Sequence, residues 1–150
     1  GLSRVMSAPS KPVVGFEVAG DLRMLAASFP HMEAFRDVRH AVELQAMWRA
    51  CCGGGCQPHN QRRRSKQSMG LSKLTERVLG KPLNKSMQMS NWEARPLSAR
   101  QVAYAALDAE VCLRIYLKLL EESPSCADGA AFSYPGGGRG GRRAPRKARP

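Results

Sequence analysis

Nowhere in its 150 residues does this chain hold a run approaching the roughly 20 apolar residues a membrane-spanning helix needs. Its first residues, Gly1-Leu2-Ser3-Arg4, supply neither a charged n-region nor an apolar h-region. The expectation is a soluble, intracellular protein of the nucleus or cytoplasm with no membrane partner. A second Cys/His pair is also missing. Cys52, Cys56 and His59 offer donors that suit tetrahedral Zn²⁺, but a finger takes four ligands at matched spacing and no further pair follows. With an odd five cysteines and no secretory signal, Cys51, Cys52 and Cys56 read as free thiols of a Gly-rich insertion in a reducing compartment. Cys112 falls in a helical stretch and reads as packed.

Acid is scarce as well, with 12 Asp and Glu against 24 Lys and Arg and a net charge of +12. The excess is local. Arg62, Arg63, Arg64 and Lys66 form one cluster, and Arg139, Arg142, Arg143, Arg146, Lys147 and Arg149 form another. Outside them the chain is nearly balanced, so the basicity belongs to loops or tails. Such runs bind phosphate or merely solvate, and composition alone does not separate the two.

What is present reads as alternating β and α. Val13-Val14-Gly15-Phe16 is a short apolar strand leading into helical composition over 21–27, with Asp21 at the junction. A weaker β/α stretch passes Phe35 and Val38, and 41–50 is helical by composition. Residues 51–68 carry Gly53-Gly54-Gly55, Pro58 and the Arg run, so they read as a low-complexity insertion. Leu71, Leu74 and Val78 recur at helical spacing, with Gly80 as C-cap and Pro82 blocking continuation, which predicts a helix over Leu71–Leu79. Ser98 and Gln101 spell a capping box that starts a helix at Ala99 and runs it to Glu122, with Leu97 placed to staple onto Val102. From 123 the sequence turns to Ser, Pro, Gly and Arg, and 123–150 is expected to be a disordered basic tail.

Projected at about 100° per residue, the long helix gathers Val102, Ala105, Ala106, Ala109, Leu113, Tyr116, Leu117 and Leu120 on one apolar face. Glu110, Arg114, Lys118 and Glu121 share a polar side. A third stripe of Tyr104, Asp108, Val111 and Ile115 sets an acid among apolar neighbours. Tyr104 and Asp108, one turn apart, project from the same side. A carboxylate there can hold a hard divalent cation, and a phenol beside it can orient a water. Core packing of Tyr104 beside a paired Asp108 explains the same spacing.

A resemblance adds to this. Gly70-Leu71-Ser72-Lys73-Leu74, Leu79-Gly80-Lys81-Pro82-Leu83, Lys85-Ser86, Ser90-Asn91-Trp92-Glu93, Arg95-Pro96-Leu97, Gln101 and Tyr104-Ala105-Ala106-Leu107-Asp108-Ala109 resemble the third motif of DEDDy-type 3′-5′ exonucleases of the RNase D branch. Val14-Gly15-Phe16, Ala19-Gly20-Asp21-Leu22, Leu25 and Phe29-Pro30 resemble the second motif, in the spelling of the Werner-type and Mut-seven-type members.

The resemblance implies an α/β, RNase H-like exonuclease fold over residues 1–122. It assigns Tyr104 as the water-positioning phenol and Asp21 and Asp108 as ligands of Mg²⁺ or Mn²⁺. The substrate it implies is single-stranded RNA or DNA with a free 3′ end, cleaved by two-metal-ion hydrolysis. Lys85, Arg95 and Trp92 are placed to touch nucleic acid, through phosphate contacts and base stacking, with a packing role favoured for Trp92. His31 and His40 have no motif context.

The family's first motif, Asp-x-Glu on the opening strand, has no counterpart in the 20 residues before Asp21. Asp108-Ala109-Glu110 repeats the spelling, but on a helix those carboxylates diverge by about 200°. The chain is therefore expected to be an N-terminally truncated piece, lacking central strands and inactive alone. The other reading is a non-catalytic nucleic-acid-binding product that works through the partial domain and basic tails.

Overall fold

The computed structural model describes residues 2, 6, 8, 11–53 and 69–135. Strands β1 (Val13–Gly15), β2 (Asp37–Glu43) and β3 (Ala131–Pro135) form one sheet in that order. β1 and β2 are parallel, with Val13 opposite Ala41 and Gly15 opposite Glu43. A parallel pair needs a crossover, and α1 (Val18–Ser28) supplies it. β2 runs directly into α2 (Leu44–Gly53). Because Gly15 and Glu43 lie in register, α1 and α2 leave the sheet at the same end. The turn into α1 is tight: a Cβ on Gly15 would stand 2.9 Å from the Val18 Cβ.

Two further helices follow, α3 (Leu71–Leu79) and α4 (Ala99–Glu122), both with the bounds the sequence predicts. Gly80 closes α3 in the left-handed region at φ 81°, where a side chain is strained. Ser98 and Gln101 form the expected capping box at the start of α4. Leu44, Met47, Leu74, Ile115 and Leu119 are fully buried where α2, α3 and α4 meet, with Val42 of the sheet beneath them. Val18, Leu22, Val38 and Ala41 form a smaller cluster on which Phe132 and Tyr134 pack.

Three expectations are corrected. The helix expected over 41–50 begins only at Leu44, because Ala41, Val42 and Glu43 pair in the sheet and Ala41 and Val42 are wholly buried. Pairing and burial override the helical composition of that short stretch.

The large apolar face assigned to α4 is not its inner face. Val102, Leu113 and Leu117 are 54%, 52% and 50% exposed, whereas Val111, Cys112, Ile115 and Leu119 are buried. The stripe holding Asp108 is the one that packs, extended by Cys112 and Leu119. Three alanines inflated the other face by number while adding little burial area.

The tail expected from 123 does not begin there. Pro124–Cys126 and Asp128–Ala130 form short 3-10 turns, and β3 pairs antiparallel with β2, with Phe132 opposite Ala41 and Tyr134 opposite Val38. Residues 136–150, and 54–68 of the expected insertion with Cys56 and His59, lie outside the described residues.

Candidate active site

The first turns of α4 meet the start of α3 and the loop that joins the two helices. A cleft of about 330 Å³ opens there, lined by Gly70, Leu71, Ser72, Leu83, Lys85, Gln88, Trp92, Tyr104 and Asp108. The capping box fixes this end of α4. The buried Gln101 side chain also donates to the Asn91 carbonyl at 2.8 Å and the Ser90 hydroxyl at 3.0 Å, so the loop is tied to the helix it approaches. Trp92 is half-buried; its indole N–H donates to the Gln88 carbonyl at 3.4 Å and its ring meets Tyr104 at 6.0 Å between centroids, tilted 47°. Trp92 therefore packs the loop and forms a cleft wall at once.

Partial burial raises the Asp108 carboxyl above the ordinary range. Desolvation, and then the Asp108 charge, raise the Tyr104 phenol, so it keeps its proton at neutral pH. One turn beyond Asp108, burial and the Asp108 charge push the Cys112 thiol up to about 11, against the Phe16 backbone amide, which hydrogen-bonds its sulfur. Glu43 and Asp21 push the same thiol further up. Cys112 thus marks the point where the entry to α1 meets α4. Asp21 lies one turn into α1 from that point, and Asp108 one turn back along α4.

Tyr104, Asp108, Lys85 and Trp92 come together around the cleft. Asp21 is exposed on α1 and is not part of the cleft lining. Arg95 also stays out of it, its guanidinium donating to the carbonyls of Trp92 at 2.9 Å and Ala94 at 2.7 Å. Neither His31 nor His40 lines the cleft. Leu71, Ser72 and Leu83 stand in the quoted motif without an assigned role and Gln88 stands outside it, yet all four line the cleft.

The donor chemistry suits Mg²⁺ or Mn²⁺, hard cations that take oxygen and are commonly held by one or two carboxylates with water. The number of donors is small. Among the described residues, no three His, Cys, Asp or Glu side chains are grouped to hold a metal. Asp108 is the one carboxylate among the cleft-lining residues.

Residues 1–123 match the 3′-5′ exonuclease domain family. The chain belongs to that family. It is 34% identical over 124 residues to the human exonuclease mut-7 homolog, covering 81% of this chain and 14% of that protein. To exonuclease mut-7 of Caenorhabditis elegans it is 33% identical over 132 residues, 84% of this chain and 14% of the relative. The chain thus spans only a small part of those relatives' length. Among solved structures it is similar to Escherichia coli RNase D, at TM-score 0.61 and 26% identity over 85% of this chain and 31% of that one. The Aedes aegypti Nibbler EXO domain aligns at TM-score 0.61 and 29% identity over 81% of this chain and 56% of that one. The fold is accordingly α/β and RNase H-like.

In this exonuclease domain, Asp108 binds its proton more tightly when folded than when unfolded. Its charge therefore costs stability above the ordinary carboxylate range, and the cost vanishes as pH falls below that range. Asp108→Asn is expected to raise Tm at pH 7 and to leave it unchanged near pH 3, measured by thermal denaturation across pH. A lower Tm at pH 7 counts against a carboxylate held there at the fold's expense.

Proposed function

We propose that this chain carries part of the site of a nuclease that removes nucleotides from the 3′ end of single-stranded RNA or DNA. The observation that carries the reading is Tyr104 and Asp108, one turn apart on a capped helix, opening into the same cleft as Lys85 and Trp92. Asp21 and Asp108 would hold Mg²⁺ or Mn²⁺, which supplies Lewis acidity toward the phosphate. The protonated Tyr104 phenol orients the attacking water. Lys85 meets a phosphate, and a base lies against Trp92 and the apolar wall of Leu71 and Leu83. Arg95 contributes through the loop carbonyls it holds.

A nucleoside 5′-monophosphate, the product such hydrolysis releases, is the simplest probe. Titrated into the full chain, it is expected to shift the amide resonances of Gln88, Trp92 and Tyr104 and to leave those of β3 in place. Lys85→Ala should weaken it about tenfold, the loss of one charge-assisted contact. Shifts confined to residues outside the cleft would sink the reading.

The two basic clusters support a second reading, nucleic-acid binding without cleavage. Deleting 136–150 is then expected to lower both RNA affinity and the steepness of its salt dependence, since fewer counterions are released. Unchanged binding across a salt series removes that reading.

A further inference from the structure

The start of α1 has no side-chain cap of its own. Its N-cap residue, Glu17, stands in the left-handed region at φ 58°, ψ 27°, which non-glycine residues rarely occupy. What holds it there comes from the neighbouring strand. The Glu43 carboxylate accepts from the Glu17 amide at 3.0 Å and, through its other oxygen, from the Val18 amide at 3.0 Å. The Gln45 amide also donates to it, at 3.3 Å. One carboxylate therefore serves amides at the beginnings of two helices, where the helix dipole favours negative charge.

The register explains why Glu43 reaches. Gly15 lies opposite it across the parallel pair, so the chain turns into α1 beside its side chain. The same short turn also fixes a cleft wall. The Gln45 side chain donates to the Met69 carbonyl at 2.8 Å, immediately before Gly70.

We propose that Glu43 is a positioning residue for Asp21: by gripping the Glu17 and Val18 amides it sets the rotation of the first turn of α1, and so the direction of the Asp21 carboxylate. Asp21 is four residues from Glu17 and its own amide bonds the Glu17 carbonyl at 3.4 Å, so the two move together. With Val18 and Leu22 buried in the core the body of α1 stays in place, so release of these amides frays its first turn and leaves the Asp21 carboxylate without a fixed direction. The inference rests on Asp21 being a metal ligand.

The test compares the full chain with Glu43→Ala, Glu43→Gln and, as a charge control, Glu121→Ala at the far end of α4. Amide hydrogen exchange reads the grip, and Mn²⁺-induced broadening of the Asp21 resonances reads the position of the carboxylate. Glu43→Ala is expected to speed exchange at Glu17 and Val18 about tenfold, with β2 and β3 unchanged, and to raise the Mn²⁺ midpoint at Asp21 about tenfold. Glu43→Gln, which keeps one accepting oxygen, should show an intermediate effect on both and covers the case in which Glu43→Ala does not fold. Glu121→Ala should change neither. Unchanged exchange at Glu17 and Val18 overturns the proposal, and so does faster exchange with an unchanged Mn²⁺ midpoint. Absence of any Mn²⁺ effect on Asp21 in the unsubstituted chain instead removes the metal-ligand reading on which the proposal depends.

Discussion

Asp108→Asn is expected to cost about 10³-fold in 3′-end degradation when placed in a polypeptide that continues upstream through an Asp-x-Glu strand. Losing a ligand charge at a metal-assisted phosphoryl centre removes several kcal/mol of transition-state stabilisation, at about 1.4 kcal/mol per tenfold. The present chain, in contrast, is expected to stay at background with or without the substitution. Two divalent ions bring four positive charges together, and Asp21 with Asp108 balances only half of that. The assay is a single-stranded RNA and DNA ladder with Mg²⁺ or Mn²⁺, run on this chain, the extended polypeptide and its Asp108→Asn variant. Thermal denaturation separates chemistry from folding, since the same substitution is expected to raise Tm at pH 7. If the present chain degrades substrate and Asp108→Asn abolishes it, another carboxylate completes the site. If the extended polypeptide is inactive with all its acids, the catalytic assignment fails and the binding reading replaces it.

The parts of the fold that were legible are those where local chemistry settles the backbone. Ser98 with Gln101, and Gly80 before Pro82, satisfy orphan helix-end groups whatever the rest of the chain does, and both helices have the predicted bounds. Tyr104 and Asp108 were legible as a pair because helical spacing alone puts them on one side. Elements decided by distant partners were hidden. Ala41-Val42-Glu43 is a strand because Val13-Val14-Gly15 pairs with it, and Phe132 and Tyr134 form one because Ala41 and Val38 wait opposite. Glu43 went unnoticed for the same reason: its amide partners at Glu17 and Val18 lie 26 and 25 residues away. Lys85 and Trp92 were picked from the motif, yet only the folded loop shows Gln88 between them in the cleft wall.

The inner face of α4 separates the two ways of reading that helix most sharply. By the larger apolar stripe, Leu113 is a core residue and Ile115 lies off the main face. In the structure Ile115 is 0% exposed among Leu44, Met47 and Leu74, whereas Leu113 is 52% exposed. Truncating a buried isoleucine removes its transfer free energy and leaves a cavity, together about 2–5 kcal/mol. Truncating a half-exposed leucine removes contacts that water largely shares already, and surface changes usually stay within about 0.5 kcal/mol. Alanine is also the better helix former, which offsets part of even that loss. Ile115→Ala is therefore expected to lower the denaturant midpoint steeply or prevent folding, while Leu113→Ala leaves it nearly in place. The pair is informative because both sites lie in the middle of the same helix, so helix propensity and charge stay almost constant between them. Should Leu113→Ala prove the more costly, the helix presents its other stripe to a core in solution, and Asp108 then faces away from the cleft on which the functional reading depends.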